Sequence, residues 1–461
     1  MTGAHKPLRG LTTALKERLI QESLRRRLRK AEHEGEATAP EHEVTAPERA
    51  AAVRGHEDCV PDSWYRFDQH PGYQQLRILN EGAAKLGVGN PYFRAHDGVA
   101  GASTVIDGET FDNYSSYNYL GLAGHPDVNS AAKAAVDRYG TSASASRLVS
   151  GERPIHRELE REIAGLHGVD DCVVFVSGHA TNLSTIGHLF GPKDLILHDA
   201  LIHNSVLLGI QLSGARRMAF AHNDWDALDC LLVRCRLQYE RVLIIVEGIY
   251  SMDGDFPDLP RFVDIKRRHR AFLMVDEAHS LGVLGHSGLG IQEHFGLAGS
   301  DVDIWMGTLS KTLASCGGYI AGETALIEHL KCAAPGFVYS VGMPPPAAAA
   351  ALAALRLLRA EPRRAQILRQ RGRQFLNLGR ALSIDTGSSA GLSVIPAITH
   401  SSLKAVRLSE ALYRRKINVQ PIVYPAVPER YARLRFFVSC EHSEAQINRT
   451  VGILAEELGR L

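Results

Sequence analysis

The chain is 461 residues long, which is enough to bury a sizeable core and to divide into more than one domain. Its 52 basic and 51 acidic residues give a formal net charge of +1, and this balance argues against a nucleic acid partner, because no overall field would hold a polyanion. The seven cysteines are scattered and lack the spacing of metal ligands, so we expect free thiols, a reducing compartment and no bound metal.

The first 60 residues are predicted to lie outside the folded core. Two partial apolar stripes, at residues 8–19 and 20–28, predict an amphipathic helix, and a repeated TAPE sequence within 35–49 indicates a flexible tether. The basic cluster at 25–30 has two interpretations: it steers an acidic partner to the protein, or the helix packs on the core or lies solvated.

The sequence gives no sign of a membrane span. Its most apolar stretch, at 347–355, is shorter than the roughly 20 residues that a transmembrane helix needs. The N-terminus also lacks the apolar core of a secretory signal. We therefore expect a cytoplasmic protein without a transmembrane segment.

From residue 114 onward, short apolar runs alternate with helical patterns, which favours an α/β fold with a mostly parallel sheet. Strands are predicted at 172–176, 195–197, 242–246, 272–275 and 304–306. After three prolines, a long helix leads to a mixed tail with predicted strands at 393–398, 418–423 and 435–439. We predict an N-terminal helix and tether (1–60), an N-terminal segment (61–115), a large domain (116–345) and a small α+β domain (346–461).

Polar residues follow several of these strands, at the sheet edge where α/β proteins bind ligands. Lys311 lies in the segment GTLSKT (307–312), where a lysine amine could form a Schiff base with an aldehyde and the hydroxyls could hold a phosphate. Asp276 ends a strand, where a buried carboxylate could keep a pyridinium nitrogen protonated. The alternatives are a surface turn for Lys311 and a helix cap for Asp276.

Residues 276–279 also read DEAH, the box of nucleic-acid-dependent ATPases. That interpretation fails because the chain contains no Gly-Lys dipeptide and therefore no phosphate-binding P-loop. The segment SGHATN (177–182) would begin a helix whose amides point at an anion, such as a cofactor phosphate. His203 is a candidate for stacking on a cofactor ring, although a single histidine is as often structural.

Taken in chain order, these segments resemble the α-oxoamine synthases, a pyridoxal-5′-phosphate (PLP) family that includes 8-amino-7-oxononanoate synthase, 5-aminolevulinate synthase and serine palmitoyltransferase. Further matching motifs are NYLGL (118–122), SRL (146–148), HND (222–224), EGIYSMDGD (247–255) and RLR (433–435). The resemblance begins near residue 76 and continues to the C-terminus. It implies the fold of PLP-dependent transferases of fold type I, with a mostly parallel seven-stranded sheet and a smaller C-terminal α+β domain.

The resemblance also implies a role for each matching residue. Lys311 would carry PLP, Asp276 would pair with the pyridinium nitrogen, and His203 would stack on the ring. Ser251 and His279 would lie near the ring hydroxyl. The phosphate would be held by Ser177, Gly178, His179, Thr308 and Ser310, joined by Ser340 of a second subunit. The substrate side would be lined by Asn118 and Glu247, and Arg435 would bind an amino-acid carboxylate, with Arg433 as its nearest competitor.

The implied reaction is a decarboxylative condensation of glycine, alanine or serine with an acyl thioester, carried by CoA or a carrier protein, in a homodimer with shared active sites. Two alternatives remain: another fold-type I reaction, such as aminotransfer or cleavage of a β-hydroxy amino acid, and a catalytically silent partner subunit. Two places depart from the family pattern, Val341 after Ser340 and the loop YPAVP at 424–428. They leave the phosphate contact of Ser340 and the substrate specificity open.

Overall fold

The structure is a computed structural model that describes Glu22 and residues 60–461, except Leu86 and Val88. Apart from Glu22, the predicted N-terminal helix and tether lie outside these residues. The chain divides into two compact units, one ending at Tyr92 and the other spanning Phe93–Leu461. In the first unit, helix α1 (Pro71–Lys85) follows two short 3-10 turns. The boundaries expected after residues 60, 115 and 345 stay predictions.

The second unit contains a sheet of seven strands: β3 (Asp171–Phe175), β4 (Leu195–Asp199), β5 (Arg216–Phe220), β6 (Val242–Glu247), β7 (Phe272–Asp276), β8 (Ile304–Thr308) and β9 (Gly318–Gly322). Their order in the sheet is β3-β9-β8-β7-β6-β4-β5. All of its strand pairs are parallel except those of β9, which runs antiparallel to β3 and β8. Two strands of another sheet, β1 (Ser103–Ile106) and β2 (Glu109–Asn113), precede these seven in the chain. The predicted mostly parallel α/β fold is confirmed.

Helices cover both faces of this sheet because its central strands are apolar on both sides. All six residues of β6 are buried, and its five apolar residues alternate between two core clusters: Ile244 belongs to one and Leu243 to the other. The helices are α2 (Pro126–Tyr139), α3 (Pro154–His167), α4 (Gly178–Leu189), α5 (Asn204–Ser213), α6 (Trp225–Cys235), α7 (Leu259–His269), α8 (Ile291–Phe295), α9 (Thr324–Ala333), α10 (Pro335–Val338), α11 (Pro345–Ala360), α12 (Arg363–Ala381), α13 (Ser402–Arg414) and α14 (Glu444–Gly459).

The strands of the C-terminal residues belong to two small sheets. These strands are β10 (Val394–Ile398), β11 (Ile417–Asn418), β12 (Pro421–Ile422) and β13 (Arg433–Phe437). The two sheets have the orders β1-β2-β11 and β10-β13-β12. The expected strand over 418–423 is wrong, because β11 pairs with β2 whereas β12 pairs with β13. Pro421 has no amide hydrogen with which to continue a ladder, which favours the break. Strands β5 and β9 were not predicted.

Two expectations about the chain as a whole can be compared with the described residues. None of their helices is long and apolar enough to cross a membrane. Their six cysteines are all free, as the scattered spacing predicted: Cys172, Cys230, Cys235, Cys316, Cys332 and Cys440.

A histidine between two carboxylates joins the carboxyl end of β4 to neighbouring loops. His222 Nδ1 lies 2.8 Å from Asp199 Oδ1, and its Nε2 lies 2.9 Å from Asp255 Oδ2. Burial alone would lower the pKa of His222, but the hydrogen bonds and charges of both carboxylates outweigh it and raise the pKa to about 10. The imidazole is therefore a cation in the folded protein across the neutral range.

We expect this cation to make stability depend on pH. The folded pKa lies above the ordinary value of 6.5, so the stabilisation is full below about pH 6.5 and is lost as the pH rises through about 10. His222→Gln should lower the free energy of unfolding at pH 6 by about 3 kcal/mol, since it leaves the buried Asp199 and the partly buried Asp255 without their cation. Denaturant unfolding at pH 6, 8 and 10 measures this, with the exposed-residue variant His286→Gln as control. A difference from wild type that stays constant over this range would contradict the role.

Candidate active site

A buried lysine amine lies at the carboxyl edge of the large sheet. Lys311 is in the turn after β8, and its Nζ lies 5.4 Å from the centroid of the Tyr117 ring. Burial lowers the pKa of Lys311 to about 8, although the charge of Asp276 opposes this shift. About a tenth of such amines are unprotonated at pH 7, and more at pH 8, so the side chain can act as a nucleophile or base.

Two carboxylates lie side by side at the ends of β6 and β7. Glu247 and Asp276 are register partners on these parallel strands, and both are buried. Burial and the charge of Asp276 raise the pKa of Glu247 well above its ordinary value, which favours the protonated form of this carboxyl. Asp276 accepts hydrogen bonds from Asn182 Nδ2 at 3.0 Å and from the Ala278 amide at 2.9 Å. Those donors suit an anion at Asp276.

A chain of hydrogen bonds leads from Asp276 to His203. The Nδ2 of Asn182 also donates to Ser205 Oγ at 2.9 Å, and Ser205 Oγ lies 2.7 Å from His203 Nδ1. The Ser205 amide points at the same nitrogen from 3.3 Å. With two donors directed at Nδ1, the ring proton belongs on Nε2. Burial lowers the pKa of His203, which keeps this ring neutral.

Asn182 and Ser205 are site residues that the sequence did not reveal. Both lie within segments that were singled out, SGHATN (177–182) and the residues around His203. The sequence shows that both side chains can form hydrogen bonds, but it does not show their partners. Asn182 bonds to a carboxylate 94 residues away in the chain. The strand order that brings this carboxylate to α4 follows from the sheet, not from local sequence.

The turn between β3 and α4 faces the turn after β8. Ser177 caps α4, with its side chain accepting from the Ala180 amide at 3.4 Å. A Cβ at Gly178 would lie 2.8 Å from Thr308 Oγ1, so glycine permits the two turns to approach this closely. Thr308 Oγ1 donates to the Gly317 carbonyl at 3.0 Å and accepts from the Ser310 amide at 3.2 Å. The amides at a helix N-terminus beside two hydroxyls suit a phosphate.

Three further candidates are His279, Ser251 and His179. His279 Nδ1 lies 2.8 Å from the hydroxyl of Tyr119, a second partner that the sequence did not reveal. Burial lowers the pKa of His279 well below its usual value, so the ring is neutral. Ser251 is buried, and its carbonyl accepts from the Arg435 guanidinium at 3.1 Å. His179, in contrast, is exposed, with its ring centroid 6.5 Å from that of His203.

The two arginines of β13 have different surroundings. Arg433 is buried and paired with Asp253 at 2.7 Å, and it also donates to two carbonyls. The guanidinium of Arg435 lies 4.6 Å from the Phe437 ring centroid, and its charge acts on Lys311. Its Nε is buried and has no hydrogen-bond partner among the described residues. A guanidinium with an unused donor suits a carboxylate ligand, which favours Arg435 over Arg433.

Two predicted residues are engaged elsewhere. The side chain of Asn118 donates to the Ala100 carbonyl at 3.1 Å and accepts from the Ala123 amide at 3.0 Å. The Ser340 hydroxyl donates to the carbonyl of the next residue at 3.2 Å. None of these bonds involves the groups around Lys311. Their expected roles depend on a second subunit and stay predictions.

The family model for aminotransferase class I and II matches residues 112–454 of this chain. An 8-amino-7-oxononanoate synthase of Cellvibrio japonicus is 40% identical over 352 residues, covering 76% of this chain and 88% of the relative. This chain belongs to the α-oxoamine synthases. A Sphingomonas wittichii serine palmitoyltransferase superposes on this α-oxoamine synthase with a TM-score of 0.80 at 30% identity, covering 84% of this chain and 97% of that one. For a Francisella tularensis 8-amino-7-oxononanoate synthase the TM-score is 0.66, at 26% identity and 76% and 98% coverage.

The α-oxoamine synthase described here depends on PLP, and the residues present fit that cofactor. An amine of lowered pKa, Lys311, lies within the field of a hydrogen-bonded carboxylate, Asp276, and a glycine turn at Gly178 leaves room for a phosphate. When bound, PLP supplies an electron sink that stabilises a carbanion at the α-carbon of an amino acid. The roles of the individual residues toward it are proposals.

We expect Lys311→Ala to remove the visible absorbance of the bound cofactor and the turnover, while the far-UV circular dichroism stays that of the wild type. The variant deletes the amine that would link the cofactor but no core contact. Lys404→Ala, at an exposed lysine, is the matched control and should keep both properties. A Lys311→Ala protein with a normal spectrum and normal turnover would show that another group holds the cofactor.

Proposed function

We propose that this α-oxoamine synthase condenses a small amino acid, namely glycine, alanine or serine, with an acyl thioester carried by CoA or an acyl-carrier protein. The products are an α-amino ketone, CO2 and the free thiol. The observation that carries the proposal is a buried amine, Lys311, within the electrostatic influence of a guanidinium, Arg435, whose Nε has no partner among the described residues. The first can serve as a base, and the second can hold a carboxylate.

The bonds that change define what the site must do. One bond forms between the α-carbon of the amino acid and the acyl carbon, and the C–S bond of the thioester breaks. The bond from the α-carbon to the carboxylate also breaks and releases CO2. Lys311 takes the α-proton and returns one after CO2 leaves, a task for which an amine with a pKa of about 8 is well matched near neutral pH.

Two neutral groups would assist the carbonyl chemistry. His203 carries its ring proton on Nε2, because Nδ1 faces Ser205, so this N–H can donate to the thioester carbonyl oxygen as negative charge develops there. Glu247 accepts from the His203 amide at 2.6 Å and fixes the backbone that carries the ring. Its raised pKa removes a second negative charge from beside Asp276.

We also propose a homodimer in which Asn118 and Ser340 act on the partner's site. The neighbours of Ser340 are exposed apolar residues, Tyr339 at 87% and Val341 at 51% of their surface, which suits a protein contact. A fully active monomer in solution would contradict this part of the proposal. The cytoplasmic location stays a prediction based on the cysteines.

The reaction can be tested with carboxyl-labelled glycine, alanine and serine, each with a CoA thioester or a carrier-bound thioester. We expect release of labelled CO2 and of free thiol in equal amounts, only when both substrates are present. A 2-oxo acid formed without a thioester would indicate aminotransfer, and an aldehyde from a β-hydroxy amino acid would indicate carbon–carbon cleavage. No product from any pair, in a protein with bound PLP, would favour a silent subunit.

A pair of arginine variants tests the carboxylate site. Arg435→Gln should raise the KM for the amino acid at least about tenfold, equivalent to about 1.4 kcal/mol, with little change in the melting temperature. Arg433→Gln should lower the melting temperature, because it breaks the buried pair with Asp253. Steady-state kinetics and thermal unfolding of both variants measure this. Equal KM values for Arg435→Gln and the wild type would remove the proposed role.

A further inference from the structure

Two histidines from different helices meet at the end of the sheet away from Lys311. His188 lies in the last turn of α4, and His329 lies on α9. Their Nε2 atoms are 3.1 Å apart, and their ring centroids are 4.8 Å apart at an interplanar angle of 63°. His329 and Leu189 also line a cavity of about 460 Å³ near the starts of β7 and β8. This cavity is distinct from the candidate active site.

A hydrogen bond between the two rings accounts for both distances only if it is bent. In a straight N–H···N bond of 3.1 Å, the ring centroids would be about 5.4 Å apart, because each centroid lies about 1.15 Å behind its Nε2. If both rings tilt equally toward the same side, 4.8 Å corresponds to a tilt of about 40° from the line that joins the nitrogens. That tilt leaves an N–H···N angle of about 120°, where hydrogen bonds weaken steeply.

A shared ion accounts for both distances. If each lone pair points at one ion 2.0–2.1 Å from its nitrogen, nitrogens 3.1 Å apart require centroids about 4.8 Å apart. The corresponding N–ion–N angle is about 98°, between the square-planar and tetrahedral values. We propose that His188 and His329 form a binding site for a divalent transition ion, Cu²⁺, Ni²⁺ or Zn²⁺, with both ligands through Nε2.

The backbone that carries the two rings is fixed before any ion binds. Ile186 and Phe190 flank His188, and Ile327 and Leu330 flank His329, and all four side chains belong to the same buried core cluster. The entropy of ordering the helices is therefore already included in folding. Among the described residues no third histidine, cysteine or carboxylate joins the pair to form a closed site. Water completes the coordination sphere, so the ion should exchange and should follow the order Cu²⁺ above Ni²⁺ and Zn²⁺.

This inference does not depend on the condensation reaction, and its test measures ion binding; turnover is only a control. Tag-free, full-length holoenzyme is crystallised and soaked with ZnCl2, and anomalous diffraction at the zinc edge should give a peak about 2.0–2.1 Å from both Nε2 atoms. In solution, calorimetric titration with Cu²⁺ should show one more bound equivalent for the wild type than for His188→Gln or His329→Gln. Electron paramagnetic resonance of that equivalent should show coupling to two imidazole nitrogens.

The chain has 21 histidines in total, and the controls separate this pair from the others. His286→Gln, at an exposed histidine outside the pair, should keep the extra equivalent and the anomalous peak. His188→Gln and His329→Gln should each lose the site, at least about tenfold in affinity, while keeping the wild-type kcat, because neither ring lies at the candidate active site. Unchanged ion stoichiometry in both single variants, or no zinc peak between the rings, would overturn the proposal.

Discussion

Two carboxylates on neighbouring parallel strands, with a lysine amine near them, are the arrangement on which the site depends. Glu247 and Asp276 share a register pair, and adjacent strands hold such partners roughly 5 Å apart. Burying two negative charges so close together costs free energy, so the protein gives the two carboxyl groups different surroundings. The raised pKa of Glu247 favours its protonated form, whereas Asp276 accepts hydrogen bonds from two donors. The two carboxyl groups beside Lys311 therefore have different surroundings.

The different surroundings of the two carboxyl groups explain why Lys311 can act as a base although it is buried. With both carboxylates ionised, the ammonium form of Lys311 would be favoured strongly and the amine would be a poor base. With Arg435 nearby and burial dominant, the pKa falls to about 8 instead. Burial also lowers the pKa of His203 and of His279, so the site has several N–H and N: groups without additional full charges. Such a mixture suits a reaction in which charge develops and disappears on the substrate.

The hydrogen-bond chain through Asn182 and Ser205 couples parts of the site that are distant in sequence. Asn182 bonds to Asp276 and to Ser205, and Ser205 sets the tautomer of His203. Orientation of the imidazole N–H therefore depends on the same amide that supports the Asp276 anion. At the opposite end of α4, His188 meets His329 on α9. One helix thus begins at the candidate phosphate turn and ends at the proposed ion site.

The sequence by itself determined the class of fold, the family and most of the candidate site. Alternating apolar runs and helical patterns are local signals, and motifs such as GTLSKT around Lys311 keep their residues within one turn. It also predicted five of the strands of the large sheet, whose apolar residues are continuous. The strands that it missed, β5 and β9, lack that signal: β5 is mostly exposed, and β9 begins and ends with glycine.

Only the tertiary structure decided which of these residues meet. The split of 417–422 into two strands depends on the separate partners β2 and β13, which no local pattern encodes. The choice of Arg435 over Arg433 depends on Asp253, which lies 180 residues away in the chain and neutralises only one of two similar arginines. The contact of His188 with His329 spans 141 residues. Sequence specifies the chemistry of each side chain, but hydrogen bonds and ion coordination require distances of about 2–3 Å, which only the packed chain establishes.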